Sequence, residues 1–392
     1  MQRETKWRKG MIDRLIYDKM TNLLTKFPVV TLTGARQCGK STLLRKCFPN
    51  YRYVSLEDLD IRAMANDDPR GFLRTFSEKT IIDEAQHAPN LFSYIQTQID
   101  ANEACGQYIL SGSHNFLLME KISQSLAGRT AILKMMPFSV AELKAANALP
   151  QSLNQWLFTG GYPRIYDKQI APTDYFPNYI QTYIERDVRL LRNISNLAQF
   201  VRFLKLCAAR IGQLVNINAL ANECDISLPT ANAWLSVLET SYIVYRLQPY
   251  HKNFNKRLVK SPKLYFYDTG LAASLLGIES EEQLALHYLH GELFENMVIS
   301  EFVKRFLTQG KEPPLYFWRD SNQNEVDLLV ESGTALSAIE IKSSETIRPN
   351  FFKGLTKFAE ISNLPQENLC VIYGGDVDLE TKNGKIVSWR NL

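Results

Sequence analysis

The chain has 392 residues, 45% hydrophobic and 22% charged, with a net charge of +4. That length predicts two to three domains, and the balance excludes a disordered, collagen-like or membrane-embedded chain. The mild positive charge permits nucleic-acid binding without demanding it, so a basic surface has to be argued locally. Cysteines 38, 47, 105, 207, 224 and 370 form no C-x-x-C pair, which argues against a zinc ribbon or disulfide framework and fits a reducing cytoplasm. The opening MQRETKWRKG lacks an apolar core, so no secretory signal is expected, and no stretch reads as a membrane span.

Met11–Phe27 places Ile12, Leu15, Ile16, Met20, Leu23 and Leu24 at helical spacing, predicting an amphipathic helix. Val29–Leu32 is a β-branched run behind Pro28 and reads as a buried strand. It leads into Gly34-x-x-x-x-Gly39-Lys40-Ser41, followed by a helix start at Thr42. Strand, glycine loop and helix together make the phosphate-binding loop. Gly34, Ala35, Arg36, Gln37, Cys38, Gly39, Lys40, Ser41 and Thr42 would wrap the phosphates of ATP with backbone N–H groups and the positive end of the helix. Lys40 would reach the β- and γ-phosphates, and the Ser41 hydroxyl would ligate Mg²⁺.

Tyr51–Leu56 predicts a second strand. Thr80–Glu84 is an apolar strand ending in two acids. Asp83 would hold Mg²⁺ and Glu84 would orient and deprotonate the attacking water, which implies hydrolysis. Tyr108–Ser113 is a further strand ending in small polar residues. Ser113 is the candidate γ-phosphate sensor, with an ordinary Ser-Gly turn as the alternative. Arg129 follows Gly128 before the strand Thr130–Leu133. It is either an arginine finger that completes a neighbouring subunit's site, so that the active species is a homo-oligomer with a hexamer as one form, or an arginine on a helix dipole. TGARQCGKS, TIIDEAQ, LSGSHNFLL and SLAGR resemble the AAA-type ATPases of the AAA_14 family. The resemblance implies an α/β fold: a P-loop (ASCE/AAA+) parallel sheet in the order 5-1-4-3-2, over residues 1–142.

Residues 143–190 read as a helical lid, in which Arg164 after Gly160-Gly161-Tyr162-Pro163 is a candidate sensor arginine. Tyr175–Leu191 predicts one long helix. Residues 191–250 carry a helix–turn–helix, Ile217–Asp225 and Leu228–Glu239, then a wing strand at Tyr242–Leu247, which predicts a winged helix. Ala231, Trp234, Leu235 and Leu238 would face inward. Of the outward positions only Asn232 suits base readout. Residues 251–392 begin with a basic lead-in, Lys252, Lys256, Arg257, Lys260 and Lys263, which either tracks a phosphate backbone or is a solvated linker. Glu295, Asp327, Glu340 and Lys342 then have the spacing of a PD-(D/E)XK-like α/β domain. Glu340 and Lys342, two apart on a strand, share a face, and the acids would hold Mg²⁺ or Mn²⁺. FNKRLVKSPKLYFYDTGLAASLLGI, GELFENMV and NEVDLLV resemble the DUF4143 domain that accompanies AAA_14. The expected function is an ATPase acting on duplex or branched DNA. The alternatives are an ATP-dependent switch or chaperone-like protein holding a protein partner, and a metal-dependent nuclease.

Overall fold

The computed structural model describes residues 11–392 except 103, 113–121, 123, 185–195, 251–259 and 334. Five strands, β1 (Val29–Gly34), β2 (Arg52–Ser55), β3 (Thr80–Asp83), β4 (Tyr108–Ser111) and β5 (Thr130–Met135), form a sheet ordered β2-β3-β4-β1-β5. This is the 5-1-4-3-2 order read from the other edge. All its pairings are parallel, and β1, β3 and β4 are buried along their whole length. Such strands need cover on both faces, which is why they read as unbroken apolar runs. The parallel arrangement gathers the carboxyl ends of β1, β3 and β4 at one edge, where open α/β sheets bind ligands.

The first helix spans only Ile16–Leu24, shorter than the periodicity predicts, and buries Ile16, Met20 and Leu24. The expected helix Tyr175–Leu191 is also divided. A helix Pro172–Tyr179 with Pro177 inside it passes into a π-helical turn, Ile180–Ile184. A proline lacks the N–H that an α-helix needs there, which favours such irregularity. Helices Leu197–Ala208, Ile217–Glu223 and Leu228–Thr240 follow. Ala231, Trp234, Leu235 and Leu238 are buried as their spacing predicts, with Val237 beside them.

The second sheet has eight strands, ordered β12-β13-β11-β10-β9-β8-β6-β7. They are β6 (Val244–Pro249), β7 (Lys263–Phe266), β8 (Leu315–Arg319), β9 (Glu325–Ser332), β10 (Ala335–Lys342), β11 (Leu369–Tyr373), β12 (Leu379–Thr381) and β13 (Gly384–Ser388). β6 pairs antiparallel with β7 and parallel with β8, so a division at 250/251 cuts through this sheet. Cross-strand hydrogen bonds between residues far apart in sequence leave no local signal.

The helix His290–Thr308 packs against both β5 of the first sheet and β10 of the second. It buries residues on nearly every side, from Leu293 to Leu307. Glu301 and Lys304, charges that suggest a solvated face, are about 95% buried. Their ion pair (2.8 Å) is completed by Val140 N donating to Glu301 Oε2 (2.8 Å) and by Lys304 Nζ donating to Phe138 O (3.0 Å). Buried charges persist only when they are satisfied in this way. One apolar core runs from Ile16 to Trp389 through both sheets.

Candidate nucleotide site and a second carboxylate cluster

At the carboxyl edge of the first sheet lies a cavity of about 530 Å³. Arg36, Gln37, Cys38, Gly39, Lys40, Ser41 and Thr42 line it, together with Glu84 and Arg164. The volume suits a ligand of nucleotide size. Gly34 has φ +141°, and a Cβ there would lie 1.9 Å from the carbonyl oxygen of Met135; only glycine lets β1 and β5 run this close into the loop. Gly39, at φ +95°, is the N-cap of the helix Lys40–Cys47, and no side chain caps that end. Its first N–H groups are therefore donors for an anion.

Lys40 is 6% exposed. Its ammonium donates to the carbonyls of Gly34 (3.0 Å) and Ala35 (2.9 Å), folding back on the loop that precedes it. Burial of a cation against two neutral carbonyls is an incomplete compensation, and a polyanion is the natural further partner. The donor set therefore fits a triphosphate.

Glu84 lines the cavity from the end of β3 in the left-handed region, φ +54°. A glutamate held there costs about 1–3 kcal/mol of backbone strain, a cost that collects at functional positions. Gln86 Nε2 donates to its carboxylate. Asp83 is buried, and both its oxygens accept hydrogen bonds, from the hydroxyls of Ser111 and Tyr53. Burial first, and then the bond to Asp83, push the Tyr53 hydroxyl up to about 12. β4 lies between β1 and β3, which is how Ser111 reaches Asp83. The sequence pattern singles out Ser113 on that strand end; Ser113 lies outside the described residues, and Ser111 is the hydroxyl seen at the acid. Tyr53 has no motif around it and could not be found from local sequence.

Arg164, one residue into the helix Pro163–Lys168, is brought to the cavity. The Gly160-Gly161 turn that launches this helix is held by a residue distant in sequence: Asp268, 3% exposed, accepts from Gly161 N at 2.7 Å. A Cβ on Gly160 would stand 2.3 Å from Asp268 Oδ1. Arg129 is remote from the cavity lining. It forms a surface pair with Asp100, Nε to Oδ1 at 2.5 Å, and exposed pairs of this kind contribute little to stability.

The second cluster lies on β9, β10 and the helix His290–Thr308 packed on the second sheet. Among the described residues no three Asp, Glu, His or Cys side chains converge as metal ligands. Glu295 Oε1 accepts from Lys263 Nζ (3.0 Å) and Tyr265 OH (2.5 Å). Glu340 Oε1 accepts from Lys342 Nζ (2.5 Å), and Asp327 Oδ2 accepts from Ile341 N (2.7 Å). Each acid thus has a protein donor on one oxygen, while Glu340 Oε2 is buried without a hydrogen-bond partner. Lys263 is a correction. It is 3% exposed and pairs with both Glu295 and Glu325, so it cannot track a phosphate backbone. Burial opposes its charge, but the acids outweigh it and raise its pKa. Lys260 is exposed; Asn232 is exposed and donates to Leu228 O at 3.0 Å. Lys252, Lys256 and Arg257 lie outside the described residues.

Burial, then the charges of Glu340 and Glu295, push the Asp327 carboxyl well above the usual carboxylate range, against Lys342 and Lys263. A folded-state pKa above the unfolded value favours folding at low pH. That contribution is lost as pH rises through the folded-state pKa. Asp327→Asn, which keeps an acceptor for Ile341 N, is therefore expected to melt higher than the wild type at about pH 8, with the gap closing toward about pH 4. Thermal melts across pH check this, and a variant less stable at the alkaline end contradicts it.

The strand order and the loop–acid cavity define an AAA-type P-loop ATPase domain, and a family model described as AAA domain matches residues 26–144. Two further models, each described as a domain of unknown function, match 150–282 (DUF8612) and 290–392 (DUF4143). Uncharacterised proteins of Mycobacterium bovis and Mycobacterium tuberculosis are each 31% identical over 368 residues, covering 91% of this chain and 79% of theirs. The chain belongs to their family, the AAA_14 ATPases with a C-terminal DUF4143 domain. Among solved structures, the Walker-type ATPase of Pyrococcus abyssi is 16% identical, with 68% of this chain and 97% of that one covered at a TM-score of 0.45. Among the described residues no helix is long and apolar enough to cross a membrane.

Proposed function

We propose that the chain is an ATP hydrolase whose nucleotide cycle drives work on DNA. The observation that carries the hydrolase is the single cavity that Lys40, Ser41, Glu84 and Arg164 share. The loop amides and Lys40 bind the phosphates, with the ammonium leaving the Gly34 and Ala35 carbonyls. Ser41 and Asp83 would hold Mg²⁺, which would offset charge on the phosphates. Glu84 orients the attacking water and takes its proton, and Arg164 steadies the charge that develops at the γ-phosphate.

Arg129 would serve a neighbouring copy, exchanging its weak surface pair with Asp100 for that copy's γ-phosphate, which makes the working form a homo-oligomer. The helical segments over 143–190 and 191–250, the latter read as a lid-linked winged helix, would relay the nucleotide state. The basic residues at 252, 256, 257 and 260 support DNA as the substrate. ATP turnover is expected to rise on adding linear, single-stranded or four-way-junction DNA, and the stimulation to fall steeply with salt as counterion release weakens. Absence of any DNA effect at low salt favours the second reading, a switch that holds a protein partner. That reading is supported by the outward face of Leu228–Thr240, which offers neither arginine nor lysine.

A further inference from the structure

Arg14 belongs to no motif, yet it is a buried, multiply bonded cation beside the phosphate loop. Its side chain is 7% exposed. Nη1 donates to Cys38 O at 2.7 Å, Nη2 to Met136 O at 2.5 Å and Nε to Glu142 Oε1 at 3.0 Å. The guanidinium also lies over the Phe138 ring, 4.7 Å from its centroid. Glu142 is itself held, accepting from Leu15 N (2.9 Å) and Ser139 N (3.0 Å). One planar group thus joins the loop, the end of β5 and the capping box of the next helix, Val140–Ala145.

Resting on the nucleotide reading above, we infer that Arg14 is a positioning residue for triphosphate binding: it holds the Cys38–Gly39 peptide so that the Gly39 N–H is presented to the phosphates. In a trans peptide the carbonyl and the following N–H point in opposite directions. With the Cys38 carbonyl anchored on Arg14, the Gly39 N–H is turned away from it. Cys38 is fixed a second time through its thiol, which donates to Met135 O at 3.2 Å. Gly39 has no side chain to resist a peptide flip, and a flipped peptide would aim a carbonyl at the anion. Lysine cannot replace this fork, because one compact ammonium cannot serve acceptors on three elements in a fixed plane.

The test uses the full chain and equilibrium binding of AMP-PNP and of AMP. Wild type is compared with Arg14→Lys, Glu142→Gln and Lys40→Ala. Gly39 adjoins Lys40, the β/γ-phosphate contact, so the triphosphate feels the peptide and the monophosphate does not. Arg14→Lys and Glu142→Gln are each expected to weaken AMP-PNP about tenfold, the size of one charge-assisted hydrogen bond, while AMP affinity stays unchanged. A merely structural role weakens both nucleotides together. If Arg14→Lys does not fold, Glu142→Gln decides alone. An unchanged ratio of triphosphate to monophosphate affinity overturns the role of Arg14 and leaves the nucleotide site standing. AMP-PNP binding that survives in Lys40→Ala removes the nucleotide site, and Arg14's role with it.

Discussion

Lys40→Ala is expected to weaken ATP binding by at least about a hundredfold, since charge-assisted hydrogen bonds of about 1.5–3 kcal/mol each are lost. Turnover should fall below detection. The substitution also strips a donor from the Gly34 and Ala35 carbonyls, and leaving such groups unpaired costs about 1–3 kcal/mol of stability. Nucleotide-free melting is therefore measured alongside binding. A variant that melts lower but still hydrolyses ATP at the wild-type rate would place the site elsewhere.

The second large effect separates binding from chemistry. Glu84→Gln keeps the side-chain length, the left-handed backbone and an acceptor for Gln86, but loses the base. Turnover is expected to drop about 10²–10⁴-fold, the usual worth of a positioned general base. ATP affinity should stay near wild type or tighten, because a negative charge beside the phosphates is gone. Single-turnover hydrolysis together with ATP binding reads both quantities. If affinity and turnover fall in parallel, Glu84 is a structural or binding group and the base must be sought elsewhere.

The placement of both residues at the cavity was legible in the chain because it is bound to local geometry. Gly34 and Gly39 are needed where φ is positive, Lys40 stands one residue past the turn, and Asp83-Glu84 follow an apolar strand that must end at the sheet edge. Arg164 was legible for a similar reason, since Pro163 can open a helix and the glycines before it end one. The partners of these residues were not. Tyr53 and Ser111 meet Asp83 only because β2 and β4 flank β3, and Arg14 meets Cys38, Met136 and Glu142 across sequence separations of 24 to 128 residues.

The C-terminal cluster shows the converse. Glu295, Asp327, Glu340 and Lys342 are near one another in electrostatic terms, as their alternation and order imply. Their spacing cannot reveal that Lys263 and Tyr265 arrive on β7 to satisfy Glu295, nor that Lys263 is thereby buried instead of exposed. A charge pattern along one strand carries no information about which counter-charge a distant strand will bring.

The amino-acid order alone marked the apolar strands, the phosphate loop and the paired acids, because each depends on contacts within a few residues. Three-dimensional packing alone settled which hydroxyls hold Asp83, which arginine anchors the loop and how the acids on the second sheet are neutralised. Those outcomes turn on burial and hydrogen bonding between segments that the chain keeps far apart until it folds.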